Sequence, residues 1–133
     1  MFQYIPKLEK LQSLRLGENF IKAPGAIKLL NSLVQSKTIK YLDLKWNNIG
    51  AFIPSPGKLA QALSNLFKAG VIWHLDISYN QINHLECYKL GTLIKDNHSV
   101  IGLHMNGNEG YLDPLGFIHS VYNDYKEIEE HKI

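Results

Sequence analysis

The chain has 133 residues, 45% hydrophobic and 20% charged, which suffices for one domain whose core needs no disulfide or metal. Fourteen Lys and Arg against twelve Asp and Glu leave a formal charge of +2. That balance excludes a dedicated nucleic-acid or membrane-surface binder, whose basic residues would dominate a face. Cys87 has no second cysteine to pair with, so no internal disulfide framework exists and a reducing compartment is expected. No apolar run approaches the ~20 residues of a transmembrane helix, and Met1 to Pro6 lack the basic start and apolar stretch of a signal peptide. A soluble, cytoplasmic protein is expected, with the sequon Asn97 to Ser99 unused.

Residues 1–10 are a lead-in too short for a capping helix. A first unit then opens as Leu11-x-x-Leu14-x-Leu16-x-x-Asn19. Leu14 and Leu16, two apart, point to the same side of a short strand. After Asn19, Ile21, Gly25, Leu29 and Leu33 follow at four-residue spacing, which predicts a helix with Pro24 in its first turn. The pattern returns as Ile39-x-x-Leu42-x-Leu44-x-x-Asn47. The stretch Ala51 to Pro56, with two prolines and no helical period, predicts a loop whose Phe52 and Ile53 either tuck beneath it, the preferred reading, or stand exposed. A helix carrying Leu59, Leu63 and Leu66 follows.

The third unit reads Ile72-x-x-Leu75-x-Ile77-x-x-Asn80, and its helix holds Ile82, Leu90 and Ile94, with Cys87 as a small core residue. The fourth reads Val100-x-x-Leu103-x-Met105-x-x-Asn108. Asp113-Pro114 then resembles an N-cap and a first-turn proline. Ile118, Val121, Tyr122 and Tyr125 continue it as an amphipathic helix. Residues 126–133 are either a charged cap or the start of a further repeat, with Ile128 where the next unit would begin.

The four asparagines are spaced by 28, 33 and 28 residues, and every aliphatic position of the motif is filled in all four copies. This pattern resembles the leucine-rich repeat, and units of about 28 residues with a full helix resemble its ribonuclease-inhibitor-like subtype. The resemblance implies an α/β fold, a right-handed βα solenoid of about four repeats. Parallel strands would line the concave face and helices the convex face. The repeats fall near 11–38, 39–71, 72–99 and 100–127, with the solenoid over 11–125. Asn19, Asn47, Asn80 and Asn108 would form a ladder, their amides bonding backbone groups that no strand pairing reaches.

Residues of the strands that do not face the core form columns, about 4.8 Å apart between neighbours. One column holds Ser13, Tyr41, His74 and Gly102, and the next Arg15, Asp43, Asp76 and His104. A third holds Gly17, Lys45, Ser78 and Asn106, and at the adjoining edge stand Glu18, Trp46, Tyr79 and Gly107. Asp43 and Asp76, side by side, suit a partner's Lys or Arg. Trp46 and Tyr79 are polar-tipped aromatics of the kind enriched at interface hot spots, while Trp73 is expected to pack against neighbouring repeats.

The predicted partner-binding set is Tyr41, Asp43, Lys45, Trp46, His74, Asp76, Tyr79 and His104. Asp43, Asp76, His74 and His104 could also ligate a metal or run acid–base chemistry. Open strands, however, lack the closed, dry pocket such chemistry needs. His84, His98, His119 and His131 show no ligand spacing, and no phosphate loop, C-x-x-C pair or nucleophile elbow is present. No enzyme activity, metal, cofactor, small-molecule substrate, nucleic acid or membrane insertion is therefore expected.

The resemblance implies a protein–protein interaction or scaffold module in a multi-subunit assembly. The alternative it implies is a regulator of an enzyme such as a small GTPase or a nuclease, as in GTPase-activating proteins and ribonuclease inhibitor. The stretch Asn97 to Asn108 with Asp113 to Phe117 is also similar to leucine-rich repeat proteins of ciliated or flagellated protists, which implies a ciliary or axonemal location.

Overall fold

Short strands recur at the four places where the apolar alternation puts them. The computed structural model describes residues 11–96 and 102–122. In chain order these form β1 (Ser13–Arg15), α1 (Ala23–Leu33), β2 (Tyr41–Asp43), α2 (Lys58–Ala69), β3 (His74–Asp76), α3 (His84–Leu93), β4 (Gly102–His104), β5 (Gly110–Leu112) and β6 (Ile118–Ser120). The expected lead-in 1–10, Val100, Tyr125 and the tail 126–133 lie outside the described residues.

Strands β1 to β4 make one parallel sheet in sequence order, as connections long enough to hold a helix permit. The register aligns Leu14, Leu42, Leu75 and Leu103 across it. These residues and their partners two positions on face the helices, and Leu42, Leu44, Leu75 and Ile77 are fully buried. Helix α1 contributes Ala26, Leu29, Leu30 and Leu33 to the same core, and α2 contributes Leu59, Leu63, Leu66 and Phe67. The helices pack in sequence order, α1 on α2 and α2 on α3. Each fully buried leucine stabilises the fold by about 1.5–3 kcal/mol.

Helix boundaries follow local chemistry. Pro24 lies in the first turn of α1, where a missing N–H costs nothing. Gly70, at φ 71°, ends α2 in the left-handed region, as a glycine does best. Asn83 caps α3 by accepting from the Glu86 N–H at 2.9 Å. The Glu86 carboxylate is buried and reaches into the preceding repeat, accepting from Gly57 N at 2.6 Å and Ala60 N at 3.0 Å. An acidic side chain of α3 thus caps the N-terminus of α2, where free N–H groups and the helix dipole favour negative charge.

The asparagines bond across repeats in one direction. Asn47 Oδ1 accepts from Asn19 N and Ile21 N at 2.7 and 3.2 Å. Asn80 Oδ1 accepts from Asn47 N and Ile49 N at 2.9 and 3.2 Å, and Asn108 Oδ1 from Asn80 N and Ile82 N, both at 3.0 Å. The Nδ2 groups donate to carbonyls where strands end, Asn80 to Leu44 O and Ser78 O at 2.9 and 3.1 Å. The amides of Asn47, Asn80 and Asn108 therefore each satisfy the turn of the repeat before them.

The fourth unit departs from expectation. Where Asp113, Pro114, Ile118, Val121 and Tyr122 were expected to build a helix, β5 and β6 form an antiparallel hairpin. Asp113 Oδ1 does accept from the chain after it, but from Leu115 N and Phe117 N, both at 2.9 Å. Gly116, at φ 90°, then turns the chain back. Asp113 Oδ2 lies 2.7 Å from His119 Nε2, and that hydrogen bond, ahead of backbone donors, holds its carboxyl below the usual 3.8. The hairpin packs on α3, where a Cβ on Gly91 would overlap the Ile118 carbonyl oxygen. Ile118 and Ser120 are buried there, and Cys87 beneath them has its thiol pushed up to about 12, chiefly by burial.

The ladder predicts unequal costs for equivalent asparagines. Asn80→Ala leaves buried backbone groups unpaired and costs about 2–4 kcal/mol, whereas Asn19, exposed and donating to carbonyls of its own turn, costs under about 1 kcal/mol. Urea unfolding of the two variants measures this directly. Equal losses would mean that the cross-repeat bonds add nothing.

Candidate functional site

The sheet face turned away from the helices is built by the residues flanking each central leucine. Ser13, Tyr41, His74 and Gly102 align in one column, and Arg15, Asp43, Asp76 and His104 in the other. Both columns are those expected from the sequence. Their chemistry differs from expectation at the carboxylates.

Asp43 is 6% exposed. Its Oδ1 accepts from Lys45 N at 3.0 Å and its Oδ2 lies 3.5 Å from Lys45 Nζ. Asp76 Oδ1 makes the equivalent bond to Ser78 N, also 3.0 Å. Each aspartate thus bonds the turn of its own repeat through Oδ1, two residues on, as Asp side chains readily do. The Asp43 carboxylate, expected with Asp76 to suit a partner's cation, is covered and has Lys45 beside it. Among the described residues, no group of three or more His, Cys, Asp or Glu could hold a metal ion.

The aromatic residues form stacked rows. Tyr41 and His74 lie 4.5 Å apart and 5° from parallel, and His74 meets His104 at 4.8 Å with a 45° tilt. The Arg15 guanidinium sits over the other side of Tyr41, 5.2 Å from the ring centroid. A second row runs along the edge, with Trp46 on Tyr79 at 4.4 Å and 7°. Each row ends on a glycine. A Cβ on Gly102 would come within 2.7 Å of His74 Nδ1, and one on Gly107 would overlap the Tyr79 ring.

Trp46 and Tyr79 hold positive φ values of 59° and 56°, like Glu18 at 62° and Gly107 at 78°. The shared value shows that the turn before each asparagine imposes this conformation. Glycine meets it most cheaply, so bulky rings at two of the four copies are costly choices. They stay 52% and 45% exposed. A rigid scaffold therefore presents two large rings to solvent.

Other aromatics are exposed as well. Trp73, expected to pack between repeats, is 57% exposed with Lys40 Nζ 5.2 Å from its ring centroid. In the loop after β2, Ile53 packs on the core as expected, but Phe52 faces solvent under Lys22 Nζ at 4.9 Å. Phe20, which the sequence pattern did not single out, is also exposed. On the far side, α3 and the hairpin enclose a recess of about 640 Å³. Its Asp113 and His119 are already paired with each other.

Comparison with known proteins bears on the repeat itself. Residues 35–51 match the leucine-rich repeat family model. The match spans β2, the adjoining turn and Asn47. A solved tropomodulin C-terminal domain, from structural genomics of Caenorhabditis elegans, is similar at a TM-score of 0.45 and 12% identity, covering 79% of this chain and 80% of that one. Among the described residues, no helix is long and apolar enough to cross a membrane.

The row geometry makes a test possible without any partner. Gly107→Ala places a Cβ against Tyr79 and strains a left-handed residue by about 1–2 kcal/mol. The variant should fold, lose the Trp46–Tyr79 stack, and shift the Trp46 indole resonances downfield as the ring current of Tyr79 moves away. Unchanged indole resonances would show that Gly107 does not seat the row.

Proposed function

We propose that the chain is a short leucine-rich repeat solenoid of the ribonuclease-inhibitor-like subtype, a non-enzymatic module that binds protein. The observation that carries this reading is the stacked pair Trp46 and Tyr79, large polar-tipped rings held half-exposed on a rigid sheet edge. Rings already ordered by stacking lose little conformational freedom on binding, which is why such residues dominate interface energetics. Tyr41, His74 and His104 extend the surface across the strands, with Lys45 and Asp76 at its polar margin. On this reading the parallel sheet is the concave lining of the solenoid, and the partner lies along it.

The repeats before and after the surface serve the same end. Loops on the strand-to-helix side hold Phe20 and Phe52 in solvent, which widens the area a partner could cover. A scaffold role within a multi-subunit assembly, ciliary or axonemal as the protist resemblance implies, fits a module with one broad face.

The experiment is an affinity purification compared between the native sequence and Trp46→Ala with Tyr79→Ala, followed by calorimetry with the recovered partner. Loss of two hot-spot rings should weaken binding about 30-fold or more, at about 2 kcal/mol or above, with the far-ultraviolet dichroism unchanged. A partner bound equally by both proteins would place the interface elsewhere.

A further inference from the structure

Every junction between neighbouring strands of the parallel sheet uses the same bonds. Leu16 N, Leu44 N and Ile77 N donate at 2.8 Å to Asp43 O, Asp76 O and His104 O of the next repeat. Two residues on, Glu18 N, Trp46 N and Tyr79 N donate to Lys45 O, Ser78 O and Asn106 O. Asn19 N, Asn47 N and Asn80 N then donate to the Oδ1 of the next asparagine. At these positions donors face forward along the array and acceptors face back.

The two outer strands carry the unused halves of that pattern. On β4 the forward donors are Met105 N, Gly107 N and Asn108 N, and none has an acceptor among the described residues. On β1 the matching acceptors are Arg15 O, Gly17 O and Asn19 Oδ1, and none receives a donor from another repeat there. An unpaired edge is a template for a further strand. Packing is incomplete at the same places. Leu11, Leu14, Leu16 and Ile21 are half-buried, whereas their equivalents Ile39, Leu42, Leu44 and Ile49 are buried. At the other end the hairpin leaves Tyr111 and Val121 exposed. The two end repeats also differ in sign. Residues 11–38 carry Arg15, Lys22, Lys28 and Lys37 against Glu18. Residues 102–122 carry Glu109 and Asp113, each beside a histidine, with no Lys or Arg.

We infer that the occupant of these edges is a second copy of this chain, docked head to tail, with β1 of one copy continuing the sheet beyond β4 of the other. Ser13 then lies beside Gly102, Leu14 beside Leu103 and Arg15 beside His104, which repeats the register of the three internal junctions. Asn19 Oδ1 accepts from Asn108 N of the neighbouring copy, and the asparagine ladder runs on across the joint. Helix α1 of the incoming copy meets the hairpin, which packs on α3 as α3 packs on α2. The end repeats that meet are of opposite sign, which favours this pairing over two like ends. Such a contact is heterologous, so it extends instead of closing as a two-fold dimer does. It uses the sheet's edges and goes beyond the reading of the ring-bearing face.

The test is sedimentation of the full chain at rising concentration, with a fluorescently labelled trace of the native protein. The mass should climb from 15.2 kDa past that of two chains without a plateau, and fall back as salt rises. Asn19→Ala, which barely alters the fold, should self-associate about tenfold more weakly, and so should Lys28→Glu with Lys37→Glu. Asn19→Ala keeps its β4 edge, so an excess of it should hold labelled native chains to pairs. Trp46→Ala with Tyr79→Ala should assemble as the native chain does, which separates this inference from the ring-face reading. A mass that stops at two chains, indifferent to excess Asn19→Ala, would overturn the inference in favour of a symmetric dimer. Native protein that stays monomeric throughout would overturn it and leave the edges to residues 1–10 and 123–133 or to another protein. Assembly lost with the rings and kept in Asn19→Ala would overturn it by moving self-association to the ring-bearing face.

Discussion

The backbone of a repeat array has a difficulty wherever it leaves a strand, because the turn's N–H and C=O groups are buried and have no ladder partner. Here the recurring asparagine meets much of it. Asn47, Asn80 and Asn108 each accept two N–H groups from the preceding repeat and return their own amide protons to strand-end carbonyls. An unpaired buried backbone group costs about 1–3 kcal/mol, so no apolar residue can stand in these places. The ladder also fixes distance and register, since an amide can reach only the turn directly beside it.

The surface chemistry inherits that register. With each asparagine fixed, the residue before it takes a left-handed conformation, and the side chains there project in a line along the edge. Trp46 and Tyr79 stack because their turns are superimposed copies of each other. The same alignment puts Tyr41 on His74. A chain of this size spends its polar groups economically. Asp43, Asp76 and Glu86 all serve backbone N–H groups, while the stacked rings stay turned to solvent.

Much of this was legible in the sequence, for a physical reason. Strand alternation, helical spacing and the recurring asparagine are all periodic, and periodic burial leaves a periodic record. It placed the four strands, the helices after Asn19, Asn47 and Asn80, and the columns of Tyr41, His74, Asp76 and His104. What periodicity does not carry is direction of a side chain once it is free to bond locally. Nothing in the spacing separates an Asp43 that faces a partner from one that caps Lys45 N. The hairpin was missed because Asp-Pro opens a turn as readily as a helix, and Ile118, Val121 and Tyr122 happen to match helical spacing. Gly116, three residues after Asp113, was the available signal against a helix. Trp73 was expected to pack between repeats, and packing was preferred over exposure for Phe52, yet both stand at the surface with a lysine over the ring.

The central claim is that each asparagine sustains the turn before it, and through that turn the aromatic edge. Amide hydrogen exchange on Asn80→Ala tests it most directly. Protection should fall at Asn47 N and Ile49 N, the two donors that Asn80 serves, while Asn80 N and Ile82 N, served by Asn108, keep theirs. Protection lost evenly along the array, or retained at Asn47 and Ile49, would contradict the account.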